Sequence, residues 1–130
     1  MQYSVAHRTA AMADIITAVG ATGYINIYTG AAPANCGTVA SGTLLVSLPC
    51  SATYGVASAG VLTANAITAT AATGTGTAGY YRLCTSAAGT TVIEQGTVGT
   101  SGADLNLNSV SITATQTVSV TSKTNTAFGA

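Results

Sequence analysis

Asp104, Asn106 and Asn108, in the stretch DLNLNS, repeat the D-x-N-x-N spacing with which a helix–loop–helix calcium site begins. Such a loop also needs Gly at its sixth position and a bidentate Glu at its twelfth. Counted from Asp104, those positions hold Ser109 and Thr115. The alternative reading is an amphipathic strand with Leu105 and Leu107 turned inward, and the missing Gly and Glu favour it. The apolar positions then move from odd to even numbers, at Val110, Ile112, Val118 and Val120, which predicts a bulge or corner at Asn108–Ser109.

GTGTAG, residues 74–79, spells G-x-G-x-x-G. The dinucleotide fingerprint needs a helix after it, whose N-terminus faces the pyrophosphate. YYRLCT follows instead, a strand pattern, so the glycines read as loop. Nucleophilic catalysis needs a base beside Ser, Thr or Cys. The one histidine is His7, and the acids are Asp14, Glu94 and Asp104. His7 and Asp14 share a helical segment but stand two turns apart, roughly 10 Å along the axis, too far for a direct bond. Glu94 and Asp104 would have to converge for carboxylate-pair chemistry; solvated strand or turn positions are the expectation. No catalytic, cofactor-binding or metal-ligating residue is assigned, and the expected activity is non-enzymatic. Cys36, Cys50 and Cys84 are too few and too widely spaced for a zinc site or a disulfide framework. They read as buried or half-buried thiols, with a Cys36–Cys50 bridge left open.

Interaction chemistry has more to work with. Arg82 sits among tyrosines in YYRLC, a common composition for an interface anchor; the other reading pairs it across strands with Glu94. Tyr24, Tyr28 and Tyr80 lie opposite the aliphatic residues of their strands and read as a contact surface or as partly buried. Arg8, Met12, Ile16, Tyr80 and Arg82 are the candidate interface residues.

The elements that must position these residues follow from periodicity. Met12, Ile15, Ile16 and Val19 mark one face of an Ala-rich helix, and Gly20 ends it. Period two then takes over in GYINIYTG, TLLVSLPC, VLTANAITAT, GYYRLCTS, TTVIEQGTV, ADLNLN, SVSITA and TVSVTS, with Gly- and Thr-rich turns between them. The expected fold is all-β: an antiparallel, jelly-roll-like β-sandwich over residues 23–130, with an N-terminal helix or arm over residues 1–22, one domain in all.

Composition narrows the function. Of 130 residues only 5% are charged and the formal net charge is zero, against about 25% charged in an ordinary soluble domain. Ala, Thr, Gly and Ser make up more than half of the chain. No basic stripe for a phosphate backbone can be assembled, so nucleic acid is not an expected partner. No apolar run spans a bilayer, and Arg8 and Asp14 interrupt the N-terminal stretch, so neither a membrane partner nor a signal peptide is expected. A surface this poor in charge suits a chain held against partners in an assembly.

The series AMADIITAVGA, INIYTGAAPA, SGTLLVSLP, ATGTGTAGYYRL, GTVGTSGADLNLNSVSI and TVSVTS resembles, over residues 4–122, a family of small structural proteins of tailed bacteriophages, the capsid decoration or cement proteins. The resemblance implies a jelly-roll-like β-sandwich on the outer surface of an icosahedral capsid, assembled in the cytoplasm of a bacterial host. It implies the major capsid protein as partner, a dimer or trimer of the chain itself, and no cofactor. The scarcity of charge departs from salt-bridge attachment and favours apolar and Thr/Asn contacts. The alternative is a binding module of the phage tail or fibre, recognising glycans or another tail protein.

Overall fold

The Ala-rich segment after Ser4 forms helix α1, Val5–Val19, in the computed structural model, which describes residues 1–130. Ser4 caps it by accepting the His7 amide at 3.1 Å, filling one of the donors that a helix start leaves open. Gly20 ends it at φ 72°, donating its N–H to the Ile16 carbonyl; a residue without Cβ takes that left-handed backbone at least cost. Met12 and Val19 are buried, and Ile15 and Ile16 pack against the same core. The 12, 15, 16, 19 spacing is therefore the docking stripe, and it lies on the strands of the β3–β4 hairpin described below.

Eleven strands follow: β1 Tyr24–Thr29, β2 Leu44–Pro49, β3 Gly55–Ser58, β4 Val61–Ala64, β5 Thr70–Ala71, β6 Gly76–Cys84, β7 Val92–Gly99, β8 Leu105–Leu107, β9 Ser111–Ile112, β10 Thr117–Val118 and β11 Val120–Thr126. The fold is all-β with a single helix. One curled sheet runs β2-β1-β6-β7-β8-β11-β4-β3, with β9 beside the start of β6, and β5 with β10 forms a separate ribbon. Ile25, Ile27, Leu45, Leu48, Tyr81, Leu83, Leu105 and Leu107 fill the core. In β1, β6 and β8 they alternate, as a pleat requires when one face turns inward; in β2, where the register shifts, Leu45, Val46 and Leu48 are all buried.

Pairing is antiparallel except between β7 and β8, which run parallel with Val98 opposite Leu105 and Gly99 opposite Asn106. Parallel neighbours ordinarily need a long crossover. Here Gly102, at φ 69°, turns the chain back. Asp104 then fastens it, its Oδ2 accepting from the Thr97 amide at 2.9 Å and the Thr97 hydroxyl at 3.0 Å.

Two stretches differ from their reading in the sequence, and β3 of the β3–β4 hairpin lies outside the strands read there. VLTANAITAT is a strand only to Ala64, because Asn65 turns the chain away, bonding Tyr54 O through its amide at 2.8 Å and Thr53 O through its side chain at 3.0 Å. The β3–β4 hairpin carries no Asn-Gly signal. Ala59 and Gly60 make its two-residue turn with φ of 52° and 78°, both left-handed. The second half of GTGTAG is strand, since β6 begins at Gly76. Its last glycine lets β1 and β6 approach where their register shifts after Tyr28: a Cβ on Gly79 would lie 1.8 Å from Gly30 O. The corner at Asn108–Ser109 is present. β8 ends at Leu107, and Asn108 turns the chain by donating to Thr117 O at 3.2 Å and accepting the Ser119 amide at 3.1 Å.

Replacing Gly79 by Ala forces backbone against backbone, and overpacking of this kind costs about 2–3 kcal/mol. The urea midpoint of Gly79→Ala should fall accordingly with an unchanged slope. Gly37→Ala, whose nearest contact is a side-chain oxygen at 3.3 Å, should stay within about 0.5 kcal/mol of the parent.

Candidate functional site

Alternation along β6 sends Tyr81 and Leu83 into the core and Tyr80, Arg82 and Cys84 to the opposite side. Tyr80 and Arg82 do not form an exposed interface there: they are 1% and 3% exposed. The connection between β1 and β2 folds over them, and side chains pin its backbone. The Tyr80 hydroxyl donates to Ser41 O at 2.6 Å and accepts the Ser41 amide at 3.0 Å. Arg82 Nη2 donates to Thr38 O at 2.7 Å and Asn35 O at 3.4 Å, and Gln95 Nε2 to Pro33 O at 2.7 Å. Tyr28 stacks on Tyr80, ring centres 5.1 Å apart, and Asn26 Nδ2 donates to Ala87 O at 3.3 Å. The tyrosine face is thus an inner layer beneath a loop.

Arg82 does not pair with Glu94 either. The β6–β7 register sets Gln95 opposite Arg82 and Glu94 opposite Leu83, so Glu94 points to the other face. There it meets Lys123 of β11 at 3.2 Å. Tyr81 Oη donates to the same Glu94 oxygen at 2.5 Å, Asn125 Nδ2 donates to the other at 2.9 Å, and Lys123 also donates to Asn125 Oδ1. The Lys123 ammonium lies 5.2 Å from the Tyr81 ring centre, within cation–π range.

Asp104 and Gln95 border the same open cleft of about 240 Å³. Glu94 and Asp104, expected at unrelated solvated positions, therefore share one cleft. Glu94 accepts from three side chains through both of its oxygens, and Asp104 accepts from Thr97 through Oδ2. Burial first, then the Glu94 charge, holds the Tyr81 hydroxyl well above its ordinary value, so it keeps its proton. The cluster ties β6, β7 and β11 together.

Three of the four polar side chains of DLNLNS act in the same way. Asp104 holds Thr97, Asn106 bonds Ala103 and the Ser122 hydroxyl, and Asn108 makes the corner. All three cysteines are free thiols. His7 and Asp14 are both exposed along α1.

The helical candidates fall in another place. Arg8 lies over the β3–β4 turn, with Nη1 3.0 Å from where a Gly60 Cβ would be, and its Nε donates to Tyr3 O at 3.3 Å. Thr9 Oγ1 accepts the Gly60 amide at 2.9 Å. The segment after β11 closes the corner: Ala127 N donates to Gly60 O at 2.9 Å and Tyr3 N to Gly129 O at 2.7 Å. Arg8 and Met12 thereby border a small, mainly apolar hollow of about 120 Å³ with Tyr3, His7, Ala127 and Phe128. Ile16 is turned to the core and takes no part in it.

Tyr3 contacts His7 at 4.9 Å and Phe128 at 6.3 Å between ring centres. Val5 is 52% and Phe128 84% exposed, so this corner is one of the chain's exposed apolar surfaces. Tyr3 and Phe128 escape a reading of the sequence because they lie outside every periodic segment. Lys123 had a signal: as the sole lysine on a strand pattern, it has few acids to meet.

Compared with family models, with curated proteins and with solved structures, the chain matches none. No helix is long and apolar enough to cross a membrane, and no three His, Cys, Asp or Glu side chains gather as a metal site would require.

Removing one member of a buried ion pair strands the other. Glu94→Ala should cost about 3 kcal/mol in urea unfolding, whereas Glu94→Leu with Lys123→Met should recover most of that loss. Alkali provides a second test. Burial, the largest cause in each case, raises Cys50 from 9.0 to about 12 and also raises Cys84, Tyr28, Tyr54 and Tyr81. The unfolded chain then loses these protons first, so the stabilisation is full below pH 9 and declines as pH rises towards 12. The urea midpoint should be level from pH 7 to 8 and fall steadily above about pH 9.5; a flat profile to pH 11 would contradict the burial of these groups.

Proposed function

We propose that this protein is a structural protein of a bacteriophage virion, a capsid decoration or cement protein. In this reading it sits on the outer capsid surface as a homo-oligomer and bridges neighbouring major capsid subunits. Three features support it: the resemblance along residues 4–122, the near absence of charge, and the apolar corner formed by Tyr3, Val5 and Phe128. The corner is the observation that carries most weight. A charge-poor chain attaches through apolar contact and hydrogen bonds, avoiding the desolvation that ionic contacts require. A symmetric oligomer touching several capsomers multiplies weak contacts into strong binding.

A glycan-binding tail module has less to support it. Tyr54, Tyr80 and Tyr81 are buried, and Tyr24 and Tyr28 are half-buried, which leaves Tyr3 and Phe128 as the exposed aromatic pair.

Copy number in purified particles separates the readings. Quantitative mass spectrometry should find tens to hundreds of copies per virion, as a shell-covering protein requires. A handful of copies would assign it to the tail, and its absence would overturn both readings. Phe128→Ser should leave the urea midpoint unchanged, because the ring is exposed. It should weaken capsid occupancy roughly tenfold, the effect of losing one aromatic anchor.

A further inference from the structure

Arg82 is a cation buried without a counter-ion. A guanidinium stays charged at any pH a protein survives, yet Arg82 is 3% exposed and the chain's one ion pair joins Lys123 to Glu94. Its bonds are those of Nη2 to two backbone carbonyls; Nε is buried with no acceptor, and Nη1 makes no hydrogen bond. Two neutral-acid neighbours, Cys84 and Tyr28, do not supply the missing charge. Burial raises both above their ordinary values although Arg82 pulls each down, so thiol and phenol keep their protons. An unpaired buried charge is among the costliest features a fold can hold.

This guanidinium lines a cleft of about 400 Å³ between residues 36–40 and 88–92. We propose that the cleft binds a carboxylate, with Arg82 as the charged group at its floor. A carboxylate is the planar acceptor that a guanidinium fork fits. Arg82 is the single cation lining the cleft, so one negative charge is matched and a phosphate dianion is not. Val39, 86% exposed, and Ala88 form an apolar rim that suits the methylene beside a carboxyl group. The Thr90 hydroxyl lines the same space and makes no bond within the chain. The site stands apart from the apolar corner at Tyr3 and Phe128 and does not rest on the virion reading.

The test follows the Arg82 Nε–H resonance by NMR while sodium acetate is added at constant ionic strength, with sodium chloride and inorganic phosphate in parallel. Acetate should move the signal saturably and chloride should not. An unmoved signal in acetate, or an equal response to phosphate, overturns the proposal. The blocked residue N-acetyl-glutamate amide identifies the source. Binding at least tenfold tighter than acetate assigns the cleft to an acidic side chain of a protein partner, and equal binding assigns it to a free small carboxylate. A built-in carboxylate gives an independent check that leaves Arg82 intact. Val39→Asp should melt several degrees above Val39→Asn and lose the acetate response. Equal melting temperatures would count against the proposal as firmly as an unmoved signal.

Discussion

The structure depends on β6 being covered on both faces as well as paired along both edges. β1 and β7 lie on its two edges, and β9 pairs with its first residues. Tyr81 and Leu83 face the core, while Tyr80, Arg82 and Cys84 lie beneath the β1–β2 connection. A sheet open on one side would tolerate polar side chains there at little cost. A covered one must find partners for most of its buried donors and acceptors. The covering loop has little regular structure, so its carbonyls need partners from elsewhere. Tyr80, Arg82 and Gln95 provide them at Ser41, Thr38, Asn35 and Pro33. The aromatic and cationic residues of YYRLC therefore hold a loop in place, and the outward surface is left to other parts of the chain.

The same physics explains how a domain with so few charges is organised. Glu94 gathers Lys123, Tyr81 and Asn125 into one cluster, and Asp104 holds the β7–β8 return. Arg8 is turned onto the chain's own backbone at Tyr3. Where a more charged protein would place ion pairs, Asn and Thr side chains bond backbone groups at corners, as Asn65, Asn106 and Asn108 do. The remaining surface is nearly neutral. Long-range steering by such a surface is weak, and its contacts lose little by dehydration. A protein laid against a large, repetitive partner meets those conditions.

Much of the fold was legible from local pattern. The helix, its Gly20 stop and most strands follow from apolar spacing and turn residues, and the odd-to-even change at Asn108–Ser109 marked a real corner. What escaped depends on a turn without its usual residues and on side-chain contacts between strands. The β3–β4 turn is made by Ala59, a residue without the usual turn signature. The parallel β7–β8 pair depends on a clasp between Asp104 and Thr97. Lys123 meets Glu94 from a strand 29 residues further along. Tyr80 and Arg82 were legible as a face opposite the aliphatic residues, but alternation cannot tell a face in water from a face beneath a loop.

Hydrogen exchange at the Ser41 amide tests that covering most directly, because this N–H donates to the Tyr80 hydroxyl at 3.0 Å in a segment without regular structure. The account predicts slow exchange at Ser41 in the parent protein. In Tyr80→Phe, which removes both of the hydroxyl's bonds to Ser41, exchange should become fast there while the β6 amides stay protected. Exchange at Ser41 in the parent at the rate of an unstructured peptide would contradict it, and would return Tyr80 and Arg82 to the surface.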